Sequence, residues 1–249
     1  VIYCPLAHMT WAEDGLFANL GDILNLNGFE NLHVLDFAGG TVVHMSAGLA
    51  ALAGALYLGK RKIENTEPAN IPFIILGTGL LWFGWFGFNA GSALAANYDA
   101  VIAFANTNIA SASSMITWIL FDRFLNKKIS AVGACIGAIV GLVAITPAAG
   151  FVTINNSIVI GFITAIVCNC FMIKIKKSKK IDDTLDVFAS HGIGGICGMV
   201  LTAVFAKDVG LIYGEINTFI LHIGASIAVI IFTFFGSLFL YKIVDLILP

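Results

Sequence analysis

Six stretches of this 249-residue chain contain no Asp, Glu, Lys or Arg, and their lengths set the architecture. They are Phe37–Gly59, Pro68–Tyr98, Ala100–Phe121, Ile129–Ile173, Val187–Ala206 and Ile216–Tyr241, with 23, 31, 22, 45, 20 and 26 residues. A helix needs roughly 20 apolar residues to cross the hydrocarbon core of a bilayer. Five of the stretches therefore predict one span each. The 45-residue stretch predicts two, broken at the turn-forming run Thr146-Pro147-Ala148-Ala149-Gly150 and at Asn155-Asn156. Seven complete spans follow, so the fold class is an all-α polytopic membrane protein. Val1–Ala12 is also apolar but too short to cross.

Positive charge orients the spans. Lys60, Arg61 and Lys62 follow the first, Arg123, Lys127 and Lys128 the third, and Lys174, Lys176, Lys177, Lys179 and Lys180 the fifth, with Lys242 at the end of the seventh. Twelve of the 13 Lys and Arg residues thus share one side, Lys207 being the exception. By the positive-inside rule the loops 60–67, 122–128 and 174–186 are cytoplasmic. Asp99 and the loop with Glu13, Asp14, Asp22 and Glu30 then face outward.

Composition agrees. Mean hydropathy is +0.94, and charged residues are 11% of the chain, less than half the soluble-domain norm. No linker or low-complexity segment divides the chain, which reads as one membrane domain over residues 1–249. The five cysteines all lie in apolar segments without a CxxC pair and read as small buried hydrophobes. Many of the 26 glycines fall inside spans, with Gly133, Gly137 and Gly141 striping one helix face, as in tightly packed membrane helices.

Two spans carry a more specific pattern. Asp36 opens Asp36-Phe-Ala-Gly-Gly-Thr-Val-Val-His44, and Asp186 opens Asp186-Val-Phe-Ala-Ser-His191. Each Asp is placed to cap a helix N-terminus. The orientation puts Asp36 at the outer face and Asp186 at the inner face. His44 then lies roughly 12 Å inward from its cap and His191 roughly 7–8 Å inward from its own. The two imidazoles converge from opposite leaflets, as expected for inverted repeats with a site near the midplane. Each histidine alone also fits a satisfied packing role. The pair at matched depth points to function. His33 sits in the outer loop, and His8 and His222 read as interfacial or structural.

Around these histidines the chain resembles the ammonium transporter family, the Amt, Mep and Rh proteins. The Asp36–His44 segment matches the signature of the family's fifth helix, and His44 and His191 match its twin-histidine pair. Ordered matches continue at His8-Met-Thr-Trp11, Gly84-Trp-Phe-Gly-Phe-Asn-Ala-Gly-Ser92, Phe104-Ala-Asn-Thr107, Gly133-Ala-Cys135, Thr146-Pro147 and Asp182-Asp183 with Asp186. The resemblance implies an eleven-helix fold of two inverted five-helix repeats, in a plasma-membrane homotrimer with one pore per subunit. This chain would correspond to the end of helix four through helix eleven. The implied outer recruitment site is Trp11 and Ser92, with Phe88 one of two stacked phenylalanines above the pore and its partner on an earlier helix. Asp36, Asp183 and Asp186 are the implied structural or electrostatic supports. A PII regulatory protein is the implied partner, through a cytoplasmic tail beyond Pro249. No cofactor, metal or nucleic acid is implied. The 24 residues between Trp11 and Asp36 are longer than the family usually has.

These residue types suit ammonium, which matches potassium in size but carries N–H donors and an acidic proton. Trp11 offers a cation–π face worth up to about 2 kcal/mol, although an exposed Trp also serves as an interfacial anchor. Ser92 Oγ accepts from N–H, and potassium has none. A bare charge at the bilayer centre costs roughly 3 to above 10 kcal/mol. Neutral ammonia avoids most of that, and two neutral imidazoles can share one proton and still address the passing molecule. Asp36 either binds the cation directly or organises the backbone. The alternatives are a Rh-like channel for uncharged ammonia or carbon dioxide, an ammonium sensor with an attached signalling domain, and a metal site in a membrane enzyme or carrier. The last needs three or four ligands, and neither histidine has a carboxylate or Cys beside it at ligand spacing.

Overall fold

The computed structural model describes residues 1–62, 68, 70–178 and 181–248, and every regular element among them is helical. In chain order these are α1 (Tyr3–Trp11), α2 (Leu20–Leu24), α3 (Ser46–Leu58), α4 (Ile71–Gly91), α5 (Tyr98–Phe124), α6 (Ala131–Ile145), α7 (Ile154–Ser178), α8 (Ile193–Phe205) and α9 (Ile216–Ile247). Helices α3 and α8 are each entered through a π-helical turn, Gly40–Met45 and Phe188–Gly192. Residues 63–67 of the first basic loop, and Lys179 and Lys180 of the last, lie outside the described residues.

Each of the seven expected spans is one helical rod. Five of them, Gly40–Leu58, α4, α7, Phe188–Phe205 and α9, are long and apolar enough to cross a bilayer on their own. Helix α6 has only 15 residues. Helix α5 has 27 but buries Asn106, Thr107, Ser111, Ser114 and Thr117. Those polar groups serve its neighbours: Ser111 and Ser114 donate to the carbonyls of Ala138 and Gly137 at 3.0 and 2.6 Å. Asn106 Nδ2 donates to the carbonyls of Ala149 and Val152, both at 2.9 Å. The non-helical break between α6 and α7 is tolerable inside a membrane because such bonds satisfy its backbone. The second half of the expected break signal is corrected: Asn155 and Asn156 lie in the first turn of α7. There Thr153 Oγ1 accepts the Asn156 N–H at 3.4 Å, and Asn156 Nδ2 reaches the Phe205 carbonyl at 3.5 Å.

The helices form two groups joined through α8. Helices α5, α6 and α7 pack together, α3 and α9 pack together, and α8 touches α6, α7 and α9. The glycine stripe of α6 faces α5. A Cβ on Gly141 would lie 2.5 Å from the Ala110 carbonyl, and one on Gly137 2.6 Å from Trp118. Helix α9 turns Leu221, His222, Ala225, Ser226, Val229 and Thr233 inward, and leaves Ile220, Ile227, Ile231, Phe235 and Phe239 exposed. Apolar outside and small or polar inside is the pattern of a helix solvated by lipid. The reading of all five cysteines as buried needs correction. Cys168 is buried, but Cys4 is exposed, because α1 buries only Leu6 and Thr10.

The long segment after Trp11 folds back as a compact cap. The Phe17 N–H donates to the Met9 carbonyl at 2.7 Å, Gly21 to Leu32 at 3.0 Å, and Val34 to Phe17 at 3.0 Å. Its exit is fixed by His222, which is fully buried. The Leu35 N–H donates to His222 Nε2 at 2.9 Å, so Nδ1 carries the proton and donates to the Met199 carbonyl at 3.1 Å. Both ring nitrogens are used, and His222 is structural rather than interfacial. At the opposite end, Arg61 after α3 binds the Asp182 carboxylate through Nε at 2.8 Å, and through its own backbone N–H at 3.0 Å.

Candidate functional site

The site begins with the backbone at Asp36. Its Oδ1 accepts the N–H groups of Gly39 and Gly40 at 2.9 and 2.5 Å, and its Oδ2 accepts the N–H and hydroxyl of Thr41 at 2.8 and 2.5 Å. This carboxylate therefore satisfies the free donors at the start of the π-helical turn. Burial pushes the Asp36 carboxyl up from its ordinary range, while the Thr41, Gly40 and Gly39 bonds pull it down. Both carboxylate oxygens of Asp36 are thus occupied by local donors. Its own carbonyl accepts the Trp11 indole N–H at 2.9 Å, which pins the two ends of the cap together. The Trp11 ring stands by Gly39, whose φ of +114° favours glycine and whose Cβ would meet the Val43 side chain at 2.7 Å. Trp11 remains 45% exposed, so part of its aromatic face is open.

At the start of the second π-helical turn the capping role falls on a different residue from the one expected. Asp183, not Asp186, accepts the N–H groups of Val187, Phe188 and Ala189, at 2.9, 2.8 and 3.4 Å. Burial raises the Asp183 carboxyl against those bonds. Asp186 has φ +55°, a left-handed conformation that turns its side chain away from the helix start. Its carboxylate takes Lys176 Nζ at 2.8 Å, and its carbonyl accepts the Ser190 hydroxyl at 2.7 Å.

Helix α3 meets the second π-helical turn at glycine. A Cβ on Gly48 would lie 2.0 Å from the Gly192 nitrogen and 2.2 Å from its Cα, so α3 and the second turn touch backbone to backbone. His44 is one helical turn before Gly48, and His191 directly precedes Gly192. This crossing brings the imidazoles together: His44 Nδ1 and His191 Nδ1 are 3.2 Å apart, with ring centroids 5.3 Å apart at 40°. His44 is buried and His191 partly so.

His44 is held from three sides. Its Nε2 is 3.0 Å from Thr146 Oγ1. Trp85 stacks on it with centroids 5.2 Å apart at 22° and donates its own indole N–H to the same Thr146 oxygen at 2.9 Å. Phe88 lies 6.3 Å from the His44 ring and 5.9 Å from Trp85. The pair opens on an apolar cleft of about 360 Å³ walled by Val43, Ala47, Leu80, Leu81, Trp85 and Phe88. Ser92 donates its hydroxyl to the Phe88 carbonyl at 3.0 Å, which leaves its oxygen lone pairs free to accept. Among the described residues no hydrogen bond or ring contact joins Trp11 to Phe88 or Ser92, and no cluster of three or more His, Cys, Asp or Glu has metal-site geometry.

The structure thus unites His44, His191 and Phe88, and ties Trp11 to Asp36. Sequence reasoning missed Thr146, Trp85, Gly48 and Gly192. Thr146-Pro147 reads as a turn and as a family match without a role of its own, and Trp85 precedes Phe88 by three residues, a spacing that puts both on one helix face.

A helical bundle with apolar rods, polar interior faces and two broken entries defines a multi-pass membrane protein. Comparison with known proteins then gives its kind. The Ammonium Transporter Family matches over residues 1–249, and the chain belongs to that family, one of transporters rather than enzymes. It is 46% identical to the ammonium transporter of Aquifex aeolicus over 93% of this chain and 53% of that protein. It is 44% identical to that of Bacillus subtilis over 100% of this chain and 60% of that protein. The crystal structure of Candida albicans Mep2 superimposes with a TM-score of 0.88 at 38% identity, over 98% of this chain and 55% of Mep2. The chain spans just over half the length of these relatives.

Proposed function

We propose that this chain carries part of an ammonium pathway: a cation is attracted at Trp11 and Ser92, loses a proton at or above the histidine pair, and crosses as ammonia. The observation that carries the reading is the 3.2 Å Nδ1–Nδ1 contact of His44 and His191 on oppositely entering helices, open to an apolar cleft. Two neutral imidazoles sharing one proton present no net charge, and the apolar walls offer a bare cation nothing to replace its water. Asp36 and Asp183 hold the turns that carry the pair, and Asp186 neutralises Lys176. Phe88 screens the pair from the outer mouth. The basic loops face the cytoplasm of a plasma-membrane protein, and the assembly is a homotrimer regulated by a PII-type partner. The family membership supports both statements.

The test is a charge placed in the path. His44→Asp and His191→Glu each put a carboxylate where neutrality is the barrier. Potassium flux through reconstituted variants, absent from the parent, is the expected result. Variants that insert normally and remain tight to potassium would defeat the reading.

A further inference from the structure

Thr146 Oγ1 has three close partners and one hydrogen to give. Leu142 O lies 2.8 Å away, Trp85 Nε1 2.9 Å and His44 Nε2 3.0 Å. Two oxygens at 2.8 Å need a proton between them, and a carbonyl has none. The Thr146 hydroxyl therefore donates to Leu142, the usual back-bond of a threonine to the carbonyl four residues earlier. Trp85 is donor-only, so its N–H takes one lone pair of the hydroxyl. What Thr146 turns to His44 is the remaining lone pair, and Nε2 must meet it with a proton.

The consequence runs through the pair. A neutral imidazole carries one N–H, so His44 protonated on Nε2 has a bare Nδ1. The bond at 3.2 Å is then donated by His191 Nδ1 to His44 Nδ1, and His191 Nε2 is left as the bare nitrogen. The opposite order would set the Nε2 lone pair of His44 against that of Thr146, or strip the proton from the short contact with Leu142. Either is costly in a buried site. We infer that Thr146 is a positioning residue that fixes the tautomers of the histidine pair, so that the pair's only free proton acceptor is Nε2 of His191. This rests on the twin-histidine reading above. It adds a polarity to it: the outer histidine offers no lone pair to an arriving ammonium, and the inner one does.

Ring-nitrogen NMR of the imidazole-labelled protein in bilayers, with each ring assigned through its backbone, reads the order directly. The expected result is a protonated Nε2 and bare Nδ1 on His44, with the reverse on His191. A pair ordered the other way overturns the inference. Thr146→Val keeps the shape and removes the hydroxyl, and both orders are then expected to be populated, while Thr146→Ser restores the single order. A valine variant with the order of the parent also overturns it. Should that variant not insert, the parent spectrum still decides the order. Ammonium flux is measured on the same samples: absence of flux with the expected spectrum defeats the transport reading and leaves the tautomer assignment standing, so the two fail separately.

Discussion

Gly48→Ala puts one methyl group at the narrowest point of the molecule. The added carbon would sit 2.0 Å from the Gly192 nitrogen and 2.2 Å from its Cα, where ordinary contact begins near 3.4 Å. Both neighbours are backbone, so no side chain can swing aside and the two elements must separate by about 1.4 Å, the difference between 3.4 and 2.0 Å. Carried to the histidines one turn away, that motion takes the 3.2 Å nitrogen contact beyond hydrogen-bonding range. Overpacking costs about 1–3 kcal/mol and the lost bond about 1 kcal/mol. Since about 1.4 kcal/mol is tenfold in rate, methylammonium uptake is expected to fall tenfold or more, with a lower melting temperature in detergent. Gly192→Ala is the control, because its Cβ meets mainly the Phe188 ring at 2.7 Å, a side chain that can turn. Equal effects of the two substitutions, or normal uptake by Gly48→Ala, would refute the claim that this crossing sets the pair.

Asp36→Asn keeps one acceptor where four donors converge, and the loss is expected to cost about 1–3 kcal/mol and abolish uptake; a fully active, stable variant would remove the capping role. Trp11→Leu should weaken ammonium affinity relative to potassium through loss of the aromatic face, read in competition uptake, whereas Trp11→Phe should keep part of it while losing the Asp36 tether. At the inner end Asp183→Asn should destabilise more than Asp186→Asn, measured by thermal melting, because Asp183 caps three N–H groups and Asp186 holds one lysine half in water. The Arg61 contact holds the Asp182 carboxyl below its ordinary range, so its contribution is present above the unfolded carboxylate pKa and lost as pH falls through the lowered one. The gap in melting temperature between the parent and Asp182→Asn is therefore expected to close in strong acid.

What the sequence determined by itself is the membrane architecture, because it is written in stretches of consecutive residues. Six charge-free stretches became seven rods, and the glycine stripe of α6 faced its neighbour as its spacing requires. The two Asp–His segments also placed the imidazoles on convergent paths, since rise per residue fixes depth. The ends of elements were less legible. Asn155 and Asn156 read as turn residues yet entered α7, and Asp186 read as a cap while Asp183 did the capping. In both cases the outcome turned on hydrogen bonds to residues the local pattern does not weigh. The partners of the histidine pair were decided by tertiary structure alone. Thr146 is 102 residues from His44 and 61 from Trp85. Gly48 and Gly192 look like any other glycines until two helices cross there. Periodicity tells which face of a helix is inward, but which residue of another helix meets it depends on how the rods cross, and that is set by packing across the whole bundle.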